Sequence, residues 1–140
     1  MKILVAVDGS PYTRRMLAYL AAHDEWLGPR HRYTVFHGVL AVPHRAAAFV
    51  DRQVVKGYYD AEAQAVFKPI RAFFQKQGID ATFVHKVGQP ADAIARLAES
   101  GRFDLVAMGS HGHGVIANLV LGSVATKVLA QCTTPVLLVR

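Results

Sequence analysis

Between residues 109 and 123 the chain sets Gly109, Gly112 and Gly122 ahead of Ser123, with two residues in the first interval and nine in the second. Glycine carries no Cβ, so an anion can come close to the backbone and the chain can take positive φ. Gly122 and Ser123 open a segment with helical periodicity, and the unpaired N–H groups at a helix start favour a phosphate. The Ser123 hydroxyl either donates to a phosphate oxygen or accepts as the cap of its own helix. The chemistry such a pattern would do is to cradle a polyphosphate, the longer interval letting the chain leave a strand, wrap the ligand and return. Gly114 falls outside the spacing and reads as loop, and the apolar run 115–121 reads as a spacer that packs the loop down.

Other reactive residue types carry less. His111 and His113 stand two apart, but no cysteine, histidine or carboxylate is at ligand spacing beside them, and a structural zinc site needs about four ligands. Cys132 is the only cysteine, which rules out an intramolecular disulfide and reads as packing. No nucleophile and base form a recognisable pair, and no arginine or glutamine is identifiably placed to orient water on a γ-phosphate. The expectation is binding with little or no turnover.

Two strand ends must position such a site. Residues 2–7 (KILVAV) form a continuous apolar run, the pattern of a strand buried on both faces of a parallel sheet. Ser10 as N-cap and Pro11 at the first helical position predict a helix to about residue 27, closed by Gly28-Pro29. Residues 32–40 read as a second strand, and residues 41–55 as loop with a turn of helix. From about 56 to 77, Tyr59, Ala63, Val66, Phe67, Ile70, Phe73 and Phe74 recur at helical spacing. A strand at 80–87, a helix at 88–101, a strand at 104–109, a helix at 123–131 and a strand at 135–139 complete the chain. Pro135 is tolerated because it opens its strand.

The order βαβαβαβαβ implies a single α/β domain over residues 1–140, with a five-stranded, mostly parallel, Rossmann-like sheet covered by helices on both faces. Ligands of such sheets sit beyond the carboxyl ends of the strands, where the strand order reverses. Asp8 to Ser10 and Gly109 to Gly122 both follow strand ends.

Composition narrows the class. With 140 residues, 52% of them apolar and 19% charged, the chain suits one globular domain. No window approaches the roughly 20 apolar residues of a membrane helix. The N-terminal apolar run is broken by Asp8 and is too short for a secretory signal, so the cytoplasm is the expected location. The net charge of +6 raises nucleic acid as a partner. Arg14, Arg15, Arg30, Arg32, Lys68, Arg71, Lys76 and Arg96 are instead scattered along the chain rather than gathered on one element, the pattern of a solvated surface.

The glycine spacing is neither of the common phosphate motifs. G-x-G-x-x-G is absent from the first strand-helix turn, and no Lys-Ser/Thr follows Gly122 as a Walker A loop requires. A phospho-acceptor receiver domain needs an aspartate where Val87-Gly88 stand. The pattern Gly109-x2-Gly112-x9-Gly122-Ser123 strongly resembles the G-x2-G-x9-G-(S/T) motif of the nucleotide-binding branch of the universal stress protein family. The flanks agree: VAVDGS at 5–10, VGQPADAI at 87–94, DLVAMGSHG at 104–112, GSVATKVL at 122–129 and PVLLV at 135–139. The resemblance spans essentially the whole chain and is weakest over residues 41–55.

What the resemblance implies is an adenine nucleotide alpha hydrolase-like fold that binds ATP as a regulatory or protective module of the stress response. Asp8 corresponds to an aspartate near the ribose and phosphates, and Met108 and Gly109 to residues flanking adenine and ribose. Gly112, Gly122, Ser123 and Val124 match phosphate-binding positions, and His111 matches a histidine common in the motif. Magnesium would ride on the nucleotide with Asp8 as its protein carboxylate. Gly38 takes the place of a residue, usually valine, whose backbone bonds adenine. The expectation there is retained backbone bonding and lost apolar contact, about 1 to 2 kcal/mol. Members of the family commonly dimerise through the last strand, and the apolar run 135–139 would be an exposed edge that a second copy covers. The alternatives are a binding module of the branch that holds no nucleotide, which the Gly38 departure favours, and a slow ATP hydrolase.

Overall fold

The elements along the chain are β1 (Lys2–Ala6), α1 (Pro11–Ala21), β2 (Arg32–Val39), α2 (His44–Ala47), α3 (Arg52–Lys76), β3 (Ala81–Val87), α4 (Pro90–Ser100), β4 (Leu105–Gly109), α5 (Ser123–Gln131) and β5 (Val136–Val139). The computed structural model describes residues 1–114 and 117–140. The strands form one sheet of order β3-β2-β1-β4-β5, and every neighbouring pair is parallel. Register is set around β1, where Ile3 faces Tyr33 on one side and Leu105 on the other.

Side chains alternate across the sheet, and each face is sealed by its own helices. Ile3, Val5, Tyr33, Val35 and Val39 pack with Met16 and Leu20 of α1 and with Phe67, Ile70 and Phe74 of α3. Leu4, Ala6, Phe36, Val106 and Met108 pack on the other face with Ile94 and Ala98 of α4 and Ala125 and Val128 of α5. Helices on both faces explain why β1 reads as an unbroken apolar run: Ile3, Leu4 and Val5 are all 0% exposed.

Two boundaries differ from the sequence expectation. Helix α1 stops at Ala21, not near residue 27. His23 and Asp24 are weak helix formers, and the chain turns instead, with the Trp26 N–H donating to the His23 carbonyl at 2.9 Å and Leu27 buried. Gly28-Pro29 lies within this run of turns rather than closing a helix, the His31 N–H donating to the Gly28 carbonyl at 3.2 Å. Helix α3 begins at Arg52, some residues early, because Asp51 accepts the Gln53 N–H at 2.9 Å as an N-cap. It runs through Gly57 and Pro69, and the helical turn expected within 41–55 is α2. Pro135 lies just ahead of β5, where its carbonyl accepts the Val106 N–H at 2.9 Å.

Tyr33 ties the 22–31 connection to the sheet. Its hydroxyl donates to the Trp26 carbonyl at 2.8 Å and accepts the Gly28 N–H at 2.9 Å. Burial raises the phenol above its ordinary pKa of 10.0, more than the Gly28 N–H lowers it. The neutral phenol's contribution is therefore complete below the unfolded value and is lost as pH rises through the folded one. Tyr33→Phe should cost about 1 kcal/mol in urea unfolding at neutral pH. It should also flatten the alkaline decline of stability, and an unchanged alkaline limb would show that another group sets it.

Candidate functional site

The order of the sheet reverses between β1 and β4, and the loops after these strands meet there. The turn after β1 needs Gly9, whose φ is +75°. Asp8 follows this strand and is engaged on one side: its Oδ1 accepts the Ser10 N–H and the Thr13 hydroxyl, both at 2.9 Å, and its own N–H donates to Thr13 Oγ1 at 3.1 Å. Ser10 supplies the N-cap of α1, accepting the Thr13 N–H at 3.4 Å. Asp8 thus braces the helix start without being its cap. Its Oδ2 faces Gly112, where an added Cβ would lie 2.9 Å away.

The glycine loop is closed at its base by its own polar groups. The Gly122 N–H donates to the buried Ser110 carbonyl at 2.7 Å, and the Ser110 N–H donates to the Val139 carbonyl at 2.9 Å. His111 donates from Nε2 to the Leu119 carbonyl and accepts from Ser110 Oγ at Nδ1, both at 2.8 Å. A carbonyl can only accept, which fixes this tautomer. His113 Nε2 donates to the Asp8 carbonyl at 2.7 Å and latches the loop to the end of β1. Both histidines are therefore loop braces. Among the described residues no group of three or more His, Cys, Asp or Glu is arranged to hold a metal.

Asp8, Gly38, Met108, Gly109, Gly112, Gly122, Ser123 and Val124 all line one cleft of about 750 Å³. At the α5 end, Gly122 is the N-cap with extended backbone and no side-chain cap bond, so the Ser123 hydroxyl does not cap its own helix. Met108 is buried at 5% exposure, and both it and Val124 belong to the packing against α4 and α5, so these two serve core and cleft together.

Three expectations are corrected by the packing. The space a side chain at Gly38 would fill is occupied: an added Cβ would stand 2.8 Å from Pro90 Cβ and 2.9 Å from its Cα. The apolar wall is therefore not missing, since the Pro90 ring supplies it from α4. Gly122 is small because of its own loop, a Cβ there meeting His111 Cα at 3.0 Å and the Ser110 carbonyl at 3.2 Å, and Gly109 because α1 crosses it, with Tyr12 Cβ at 2.7 Å. Third, the spacer does not pack the loop down over its described part: Leu119 and Val120 are 48% and 75% exposed, while residues 115 and 116 lie outside the described residues. Gly114 meets nothing within 4 Å, as expected of ordinary loop.

Other residues of the cleft escaped the sequence. His37 is buried at 5% exposure; its Nδ1 donates to the Val7 carbonyl at 2.9 Å and its Nε2 stands 3.0 and 3.2 Å from the Glu62 carboxylate oxygens. The ring thus lies between the Val7 carbonyl and the Glu62 carboxyl, which ties β2 to α3 at the wall of the cleft. Lys127 lines the cleft one helical turn after Ser123, a spacing that was readable as one face of α5. Pro90, Tyr58 and Leu40 enter through tertiary packing that no local pattern announces.

Comparison with known proteins agrees with this architecture. The model of the universal stress protein family matches residues 1–140. A universal stress protein of Thermus aquaticus is 34% identical over 142 residues, covering 99% of this chain and 97% of that protein. Among solved structures, protein MJ0577 of Methanocaldococcus jannaschii is similar with a TM-score of 0.83 at 25% identity, over 99% of this chain and 94% of that one. The universal stress protein of Archaeoglobus fulgidus in complex with dAMP shares the fold, with a TM-score of 0.70 at 21% identity over 100% and 98% of the two chains. With the whole-length match and the Rossmann-like sheet together, the chain belongs to the universal stress protein family.

Proposed function

We propose that this chain binds an adenine nucleotide, ATP carried with magnesium, in the cleft between the ends of β1 and β4. The observation that carries the reading is the convergence of Asp8, Gly112, Gly122 and Ser123 on one cleft at the reversal of strand order, with the start of α5 opening into it. The first N–H groups of α5 and the Ser123 hydroxyl would bind phosphate oxygens. Met108 and the Pro90 ring would flank the base, and the backbone of Gly38 would bond its edge. The dAMP complex of the Archaeoglobus relative supports an adenine nucleotide as the ligand class.

The donor set fits magnesium that arrives on the nucleotide. Asp8 offers Oδ2 on the Gly112 side, and a single carboxylate suffices for a cation otherwise held by phosphates and water. When bound, the ion would neutralise phosphate charge beside the carboxylates of Asp8 and Glu62. The chain would act as a cytoplasmic regulatory or protective module with little turnover, its nucleotide state the signal. A homodimer through β5 fits the same reading, since β5 is an edge strand whose four residues are half-buried.

Protein purified without added ligand should yield adenine nucleotide on denaturation and chromatography, and stripped protein should bind ATP in calorimetry more tightly with magnesium than without. If neither nucleotide nor a binding isotherm is found, the module is one that works without nucleotide. Steady phosphate release well above the buffer rate would make it a hydrolase instead.

A further inference from the structure

The surface where α2 leads into α3 exposes more apolar area than a solvated helix does. Phe49 is 89% exposed, Val54 61% and Val50 44%, while Leu40 and Tyr58, at 67% and 56%, belong to the neighbouring cleft. Isolated exposed apolar residues are ordinary, whereas a contiguous set marks an interaction surface. Val54 and Tyr58 lie one turn apart on α3, and Val55 and Tyr59 form the neighbouring column. This second column, with Ala47, Ala48 and Val50, lines a concave groove of about 590 Å³.

The charged lining of the groove is of one sign. Arg45, Arg52 and Lys56 line it together with His44, and among the described residues no aspartate or glutamate does. Arg52 and Lys56 are again one turn apart, beside the Val55 and Tyr59 column. Of the acids adjacent to lining residues in the chain, Asp51 is the N-cap of α3 and Asp60 is paired with His85, its Oδ1 3.2 Å from Nε2. The groove belongs to the folded structure: the Val42 N–H donates to the Tyr59 hydroxyl at 2.8 Å, and α2 is closed by the Ala48 N–H on the His44 carbonyl at 3.0 Å.

The geometry points to a docking groove for an acidic, apolar peptide segment of a partner protein, its apolar side chains lying along Val50, Val55 and Tyr59 and its carboxylates meeting Arg45, Arg52 and Lys56. Arginine and aromatic residues around an apolar centre are what anchors an interface. A second copy fits poorly, because two chains of net charge +6 would bring identical basic rims together. The concave shape receives a ridge of side chains better than it receives the plane of a lipid surface.

The test is fluorescence anisotropy on the full chain with a labelled helical peptide bearing leucines on one face and glutamates on the other, alongside its lysine twin. The glutamate peptide should bind saturably and weaken with salt. Its affinity should fall roughly tenfold in Arg45→Glu/Arg52→Glu and also in Val50→Ser, which removes an apolar side chain of the groove itself, with melting curves unchanged. Equal binding of the lysine twin, or full affinity in the charge-reversed variant, overturns the proposal. So does binding to phosphatidylglycerol vesicles without binding to the peptide, or a wild-type dimer in sedimentation that Val50→Ser dissolves. None of these readouts requires nucleotide, so the groove and the cleft stand or fall separately.

Discussion

Gly122→Val is expected to lower adenine-nucleotide affinity about a hundredfold while the protein stays folded. At this position even a Cβ would lie 3.0 Å from His111 Cα and 3.2 Å from the Ser110 carbonyl, so a valine must push the loop off the start of α5. The Gly122 N–H to Ser110 bond at 2.7 Å would break, and the amides of α5 would no longer face the phosphates in register with Gly112. Losing two charge-assisted hydrogen bonds of about 1.5 kcal/mol each is about 3 kcal/mol, or roughly a hundredfold. The fold should survive because Gly122 has φ −72°, which valine adopts without strain, and because residues 117–120 are exposed and can move. Gly57→Ala, on α3 outside the cleft, is the control: among the described residues nothing lies within 4 Å of its Cβ position, and affinity should not change. Calorimetry with ATP and a thermal melt of each variant decide the matter. Full affinity in Gly122→Val would show that the helix start is not where phosphate is held.

Gly38→Val, which brings in the side chain that the resemblance implies for this position, should weaken the protein rather than improve it. The valine side chain would need space taken by Pro90, whose Cα and Cβ lie 2.9 and 2.8 Å from the Cβ position. Pro90 is the first residue of α4 and cannot rotate away, so α4 must shift against β2. Overpacking of this kind costs about 2 to 3 kcal/mol. The same shift would narrow the cleft on its base side, since Gly38 and Pro90 both line it. Pro90→Gly removes the Cβ at 2.8 Å and the Cγ at 3.1 Å while keeping the Cα, so the double variant should recover part of the loss, a coupling that a double-mutant cycle in urea measures directly. Additive effects would mean that Gly38 and Pro90 are not one packing unit.

These two glycines also mark how far the sequence could be read. Strand β1 was legible because burial on both faces leaves a plain apolar record, and the spacing of Gly109, Gly112, Gly122 and Ser123 located the loop of the cleft. Why each glycine is small was not legible. The sequence suggested room for phosphate, whereas the added Cβ atoms at Gly38, Gly109 and Gly122 meet Pro90, Tyr12 and His111, residues placed by packing between elements. The end of α1 was hidden for a related reason: no glycine or proline follows Ala21, and the turns after it are held by Tyr33 from the next strand. The early start of α3 was signalled by Asp51, but Gly57 masked it by diluting the helical pattern. His37 and Glu62 are 25 residues apart in the chain and meet only because α3 lies across β2.

The placement of β1 has a consequence for biosynthesis. Of the strands of this sheet, β1 is made first and lies in the middle, paired with β2 soon after and with β4 only when residues near Leu105 emerge. Until then a nascent chain can assemble the β3-β2-β1 half, leaving one flank of its most apolar strand as an open edge, a state prone to aggregation. The cleft straddles that seam, with Asp8 on the early side and Gly109 to Val124 on the late side. A nucleotide held there would clamp β4 and α5 onto β1, favouring molecules in which the seam has closed over those in which it is open by simple mass action.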